Sequence, residues 1–419
     1  MIKNIKFYFL TLPKKFKLKF IFLIFLLFVN SLFEFVSIGA ILPVAQSMVS
    51  ENFFFDGYLI SFFNQVLNIE LKKENLIFAY LFLFLLIFLL KTLFSILFNH
   101  FKWAFITQLK SFLSLRLSSG YLSQNFNKIY EKGSSALIRT LETELDKFCG
   151  VISDGFLNIF NSVLLIFFIS LIIFLIQPLA FVVSTLSFGL VLIVFSLLTK
   201  KKIKKLGKER FEFSKRKIKS INDFFRSIKE IKIFNSVPFF LSIFKKQLDI
   251  LQVAEKKYYF LQQNFKPLLE FIGVVFILVF LIASLQINNN NSNRVFVELA
   301  VLGAGAFRIM PAMNSLLSFS SSIRFHLPVI GLIHNELLDT KGTEEKVKNI
   351  DFKKNIVFKN VSFKFSNDIG NTLEDISFSI NKEDIVCISG SSGAGKTTLI
   401  NLIVGLIEPQ SGSIIIEVI

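Results

Sequence analysis

The stretch Ile385-Val-Cys-Ile-Ser-Gly-Ser-Ser-Gly-Ala-Gly-Lys-Thr-Thr-Leu-Ile400 decides how the chain is read. Its β-branched run, Ile385 to Ile388, predicts a short strand that leads into a glycine-rich turn. A helix is expected from about Lys396 to Leu406. Gly390, four intervening residues and Gly395-Lys396-Thr397 reproduce the spacing of a phosphate-binding P-loop. Gly390, Gly393 and Gly395 let backbone N–H groups close on phosphate oxygens without a Cβ in the way. The candidate nucleotide-binding residues are Gly390, Ser391, Ser392, Gly393, Ala394, Gly395, Lys396, Thr397 and Thr398. The Lys396 ammonium reaches toward the β- and γ-phosphates of ATP, and the Thr397 hydroxyl is the candidate Mg²⁺ ligand. The helix N-terminus adds partial positive charge.

Outward from this loop, the chain is unusually apolar. Of 419 residues 53% are hydrophobic, and a formal net charge of +17 is threaded between the apolar runs. An ordinary soluble protein does not have this composition. Charge placed between apolar spans points to orientation in a lipid bilayer, and no nucleic-acid partner is expected. Cys149 and Cys387 form no framework, and Cys387 is expected to be a small core residue. His100, His326 and His334 lack ligand spacing, so no transition-metal site is expected.

Residues 1–19 alternate lysines with apolar residues and predict an amphipathic helix on the inner membrane surface, broken near Pro13. Six apolar spans follow, at about 20–42, 76–98, 151–176, 179–198, 268–285 and 295–317. Each is long enough for a hydrocarbon core of roughly 30 Å. Lys200 to Lys266 carries 19 Lys/Arg and Lys102 to Lys147 carries seven, against only Lys72, Lys73 and Arg294 in the alternate loops. The basic stretches are therefore expected in the cytoplasm, with both termini, and the polar run Asn288 to Asn293 outside. Two helical patterns in the cytoplasmic stretches are interrupted, around Tyr130 to Leu141 and at Asn235 to Pro238. The bundle is expected over 20–340, a linker over 341–354, and an α/β domain over 355–419. Short β-type runs at Ile356 to Phe358, Val361 to Phe365 and Ile376 to Ile380 open that domain.

Six spans with long cytoplasmic extensions and then a P-loop domain resemble an ABC exporter half-transporter. The resemblance implies a transport-coupled ATPase of a plasma (inner) membrane, working with ATP and Mg²⁺ as a dimer with a second half-transporter. It implies that Phe365, the last aromatic of Val361-Ser-Phe-Lys-Phe365, stacks on adenine, although strand alternation alone would also bury a Phe there. It also implies that Tyr130 to Leu141 and Ile228 to Phe240 are the two coupling helices. Glu34-Phe-Val-Ser-Ile-Gly-Ala-Ile-Leu-Pro43 and Phe307-Arg-Ile-Met-Pro-Ala-Met-Asn314 resemble stretches of flippases for lipid-linked oligosaccharides. Exporters of peptides or other lipids are the alternative.

The glutamine loop, signature motif, second acidic strand with its catalytic Glu, and switch His of that family do not occur in this sequence. No catalytic residue is therefore assigned, and a truncated, non-hydrolysing membrane fragment is a further reading. Glu34, Lys91 and Arg308 are ionisable residues within apolar spans. Glu34 and Arg308 are the candidate substrate-path residues, and a guanidinium suits a pyrophosphate headgroup. The rival expectation is an internal Glu34–Arg308 pair, with Lys91 snorkelling to the interface.

Overall fold

The computed structural model describes residues 2–40, 76–176, 178–287, 292–340, 354–364 and 372–416. They form two units, described separately: residues 1–114 with 139–335, and residues 115–138 with 336–419.

Among the described residues, the first unit is built of helices. α1 (Ile2–Thr11) ends at Pro13, where the missing N–H stops the ladder, and α2 (Lys14–Gly39) restarts at once. Lys14 to Lys19 thus share one helix with the first expected span. α1 differs from a helix lying free on a membrane surface, because its apolar face is buried in protein. Tyr8 is fully buried and hydrogen-bonds Ser153 Oγ at 2.6 Å, and Thr11 Oγ1 lies 3.3 Å from His334 Nδ1.

α3 (Leu76–Leu122) carries the second expected span onward through 47 residues, about 70 Å at 1.5 Å each. α4 (Phe126–Lys132) and α5 (Ser134–Arg139) are separated by Gly133, whose φ of 73° breaks the helix. Two π-type turns, Thr140–Glu144 and Lys147–Ile152, then feed α6 (Ser153–Ile176). α7 (Pro178–Arg226) runs unbroken from the fourth expected span through the basic stretch. α8 (Ile228–Ile233) is one short helix, Asn235 turns the chain at φ 49°, and α9 (Val237–Gln263) begins with Pro238 in its first turn. α10 (Phe265–Ile287), α11 (Ser292–Phe325) and α12 (Leu327–Asp339) follow.

Helical spacing selects the faces that pack. Ile169, Ile172 and Ile173 of α6 meet Phe265 and Leu269 of α10 and Ile309, Met313 and Leu317 of α11. Ile203 and Leu206 of α7 meet Ala254 and Tyr258 of α9 and Phe325 of α11. Gly207 lets the Phe325 backbone come so close that any Cβ there would strike its carbonyl.

Among the described residues, Lys14–Ser37, Leu81–Leu122 and Ser134–Leu175 are helical stretches long and apolar enough to cross a membrane. A fourth is added if Ile309–Phe325 and Leu327–Asp339, bent by 51°, count as one. Residues 41–75, residues 288–291 of the polar run, and residues 341–353 of the expected linker lie outside the described residues.

The second unit contains a three-stranded antiparallel sheet of order β2-β1-β3, from β1 (Asn355–Phe363), β2 (Leu373–Asn381) and β3 (Ser411–Ile416). β1 joins two of the expected short runs through a bulge at Lys359-Asn360, where Asn360 takes φ 48°. Gly412, at φ 81°, passes so close to the Lys359 and Asn360 carbonyls that a Cβ would collide with both. α13 (Lys396–Ile403) covers the sheet, and Leu402 and Ile407 pack with Phe358, Val361, Phe363 and Leu373. α13 stops three residues short of the expected Leu406. Gly405 turns left-handed at φ 71°, its N–H bonding Leu402 O and that of Leu406 bonding Asn401 O, a Schellman ending.

The run Ile385 to Ile388 is not the strand its composition predicts. Ile385 is fully exposed, Val386 is half exposed, and among the described residues the run has no ladder partner. Cys387 is correspondingly exposed rather than a core residue. β-branching only suits a residue to a sheet, and the ladder itself needs a neighbouring strand.

Candidate nucleotide loop and membrane cavity

The phosphate-binding loop is built by the turn that the sequence places after Ile388. Gly393 and Gly395 take φ of 84° and 83°, a region costly for any residue with a Cβ. A Cβ on Gly395 would also come within 2.8 Å of Leu373 Cδ2 and 2.9 Å of Thr372 O. Gly395 therefore fits the loop onto the start of β2 as well as turning it into α13. Ala394 N–H bonds Ser391 O at 3.2 Å and closes the turn. The Lys396 ammonium folds back over the loop and donates to Gly390 O and Ser391 O, both at 2.8 Å. Gly390, Ser391, Ser392, Gly393 and Ala394 are exposed, as is Thr397, which leaves their polar groups accessible at the N-terminus of α13. Thr398, the last of the candidate residues, is buried.

This geometry fits a nucleotide phosphate with its Mg²⁺. The cradle has an accessible face, two glycines at positive φ, and a cation already held against its carbonyls. Phe365, the expected adenine platform, lies outside the described residues.

The expected coupling elements are partly displaced. The short helix before the break is Phe126–Lys132, and Gly133 cuts through the segment Tyr130 to Leu141. Phe126 packs against the cluster that holds Phe358 and Leu402 beneath the P-loop helix. Lys132 bonds Glu336 Oε2 at 2.8 Å and Asp339 Oδ2 at 3.2 Å, and Tyr121 also donates to Glu336. The second segment matches α8 and its turn.

Within the membrane unit, Glu34 has a described ion-pair partner on the neighbouring helix. It pairs with Lys91 at 2.8 Å. One turn away on both helices, Ser95 Oγ donates to Asn30 Oδ1 at 2.8 Å. Lys91 is buried rather than snorkelling. Positions 30 and 34 on α2 face 95 and 91 on α3, an antiparallel spacing of four that sets two polar rungs side by side. The Arg308 side chain lies outside the described residues.

Met310, Pro311 and Asn314 of the α11 motif line a cavity of about 640 Å³, with Ser315, Ser318 and Phe319 on the same helix. Lys266, Leu269 and Glu270 of α10 form its other wall. Asn314 is one of the lining residues, and its Oδ1 is buried without a hydrogen-bond partner. Sequence alone singled out the α11 half of this cavity. Lys266 and Glu270, an i,i+4 pair at 3.8 Å, gave no separate signal beyond their spacing.

Residues 20–303 match the ABC transporter transmembrane region, and residues 373–418 match the ABC transporter family. The chain is 38% identical over 86 residues to the Beta-(1-->2)glucan export ATP-binding/permease protein NdvA of Brucella suis biovar 1, covering 20% of this chain and 14% of that protein. It is 45% identical over 62 residues to the zinc import ATP-binding protein ZnuC of Rickettsia conorii, covering 15% and 26% respectively. Over 59 residues it is 48% identical to the energy-coupling factor transporter ATP-binding protein EcfA1 of Staphylococcus aureus, covering 14% and 22%. The matched stretches thus span about a quarter or less of these relatives' lengths. A membrane-region match across most of the sequence, followed by a P-loop match, means that this chain belongs to the ABC transporter family.

Proposed function

We propose that this chain is the membrane and P-loop part of an ATP-driven exporter that moves a lipid-linked or otherwise amphipathic substrate. A lipid-linked oligosaccharide is the leading candidate. The chain crosses a plasma or inner membrane six times, keeps both termini and its basic stretches in the cytoplasm, and works with a second half-transporter as a homodimer. The observation that carries the reading is the union of a phosphate cradle and a family-matched helical membrane region in one polypeptide.

Gly393 and Gly395 aim backbone N–H groups into the cradle, and α13 adds its positive end. Lys396 exchanges its two loop carbonyls for phosphate oxygens, a charge-assisted gain over neutral acceptors. The exposed Thr397 hydroxyl ligates the metal. Bound ATP–Mg²⁺ supplies the free energy that drives the transport cycle. In the membrane unit, the 640 Å³ cavity supports an amphipathic ligand, with Asn314, Ser315 and Ser318 beside its polar part and Met310 and Phe319 flanking its apolar part. Arg308, two residues before Met310, is the proposed contact for a pyrophosphate. Glu34 is the weaker candidate for the substrate path, because Lys91 already neutralises it.

The exposed Ile385 to Ile388 run favours a second reading, a membrane subunit that holds nucleotide without hydrolysing it. Turnover of ATP well above that of Lys396→Ala would eliminate it. The test of the first reading is ATP-dependent flipping of a fluorescent lipid-linked saccharide in proteoliposomes that hold the assembled transporter. Arg308→Ala and Asn314→Leu should reduce flipping more than basal ATPase. Unchanged flipping removes the cavity from the path. Equal transport of a peptide or a sugar-free lipid moves the assignment to those substrates.

A further inference from the structure

Ile309, Met313 and Leu317 of α11 pack into the core with α6, and the neighbouring stripe of Met310, Asn314 and Ser318 borders the 640 Å³ cavity. Gly273 of α10 lies against Met310 at one level. About two turns along α11, Gln262 near the end of α9 donates to Ser318 O at 3.4 Å. The two segments therefore run in opposite directions. The cavity is a groove between those two contacts, roughly 12 Å long by the rise of α11 from Met310 to Ser318.

Gly273 is buried, and a Cβ built on it would strike Met310 Cε and come within 2.9 Å of Sδ. The thioether tip is thus seated in a notch that a glycine leaves open. A methionine side chain is unbranched and easily repositioned. Ile309 and Met313 on the core side are already packed, so a tip pushed out of the notch moves toward the open side, which is the cavity.

The groove is also graded along its length. Met310 and Leu269 make it apolar near the notch, and Lys266 and Ser318 stand toward the other end. On the expected spans 268–285 and 295–317, Lys266 and Ser318 fall just outside the apolar runs, whereas Gly273 and Met310 fall inside them. An amphiphile with its polar part at Lys266 and its apolar part at Met310 keeps the orientation it has in a lipid leaflet. We propose that Met310 is the movable end wall of this groove and Gly273 the socket that holds it back, so that the pair sets how large an apolar part the groove admits. The proposal rests on the reading of this cavity as part of the path of an amphipathic substrate, and adds to it the residues that determine size.

The test reads the size of the groove by thiol labelling, without ATP or a transported substrate. Asn314→Cys, one turn from Met310, is introduced into the 419-residue chain in liposomes, with Cys387→Ser to remove the exposed native thiol. Labelling rates with methyl and decyl methanethiosulfonate are compared as a ratio within each variant. Gly273→Ala should lower the decyl-to-methyl ratio at least about tenfold, and adding Met310→Ala should restore it to within about twofold. Circular dichroism identifies any variant that misfolds. If Gly273→Ala does so, Met310→Ala alone decides: removing the wall should raise the ratio at least about threefold, and no rise would overturn the proposal. An unchanged ratio in a folded Gly273→Ala variant would overturn the notch. A loss that Met310→Ala does not restore would overturn the role of Met310, because the helices and not its side chain would then have moved. Flipping of a lipid-linked saccharide by the assembled transporter that ignores Gly273→Ala, while the ratio falls, would instead overturn the place of this cavity in the substrate path.

Discussion

α3 and the run before the P-loop both leave apolar side chains uncovered, for different reasons. Leu85, Leu89, Leu93 and Ile96 of α3 are about as exposed as many surface residues, and so are Ile385 and Val386. In α3 each backbone N–H finds its carbonyl inside the helix, so lipid is the only complement needed. Ile385 to Ile388 form no ladder with the described sheet β2-β1-β3. Exposure in the first case states which solvent surrounds the helix. In the second it states that strand propensity alone does not make a strand.

The sharpest way to break this contrast is at the polar exception in the membrane unit. Glu34→Ala leaves the Lys91 ammonium buried without its partner and should cost about 3 kcal/mol or more in a detergent-unfolding titration. Replacing both, Glu34→Leu with Lys91→Met, should recover most of that loss. Equal losses for the single and double variants would show that the pair is not coupled.

Inside the P-loop unit, Leu402→Ala should destabilise by about 3 kcal/mol, because Leu402 sits in the core under the sheet. A smaller effect belongs to Lys132. Lys132→Met removes its contacts with Glu336 and Asp339 and should cost about 1 kcal/mol, since the pair is partly solvated. Burial works against the charged form of Lys132, but Glu336 and Asp339 outweigh it and raise the pKa above its ordinary 10.5. A raised pKa on a cation means that this contribution is complete below about pH 10 and fades as pH climbs through the raised value. The alkaline melting curves of wild type and Lys132→Met should therefore converge, and parallel curves would contradict the pairing. The smallest effect is expected at Ile385→Ser, within about 0.5 kcal/mol, because nothing covers that side chain. A loss comparable with Leu402→Ala would mean that the run is packed in solution, and the contrast with α3 would collapse.

Much of this was legible in the sequence because it depends on local signals. Pro13, Gly133 and the Asn235–Pro238 turn break helices through their own backbone chemistry, and the P-loop glycines announce positive φ by spacing. What sequence missed depends on partners. Composition gave Ile385 to Ile388 a strand it could not form alone. The intramembrane charges Glu34 and Lys91 were visible as unusual, but a one-dimensional reading could not tell that they met. The amphipathic pattern of residues 1–19 left open whether lipid or protein covers its apolar side chains, and at Tyr8 protein does. Phe126 was overlooked because a lone aromatic beside a helix break looks like any other in a chain with 55 Phe.

The central claim is that residues 390–397 cradle a nucleotide in a chain whose other part is embedded in lipid. Photo-crosslinking of the membrane-reconstituted chain with an azido-ATP analogue and Mg²⁺ tests it directly. The label should be displaced by excess ATP, and it should fall at least about tenfold in Lys396→Ala, which loses the charged donor. Gly395→Val, which forces a Cβ into Leu373 and Thr372 O, should show the same loss. Labelling that is indifferent to both substitutions would contradict the account.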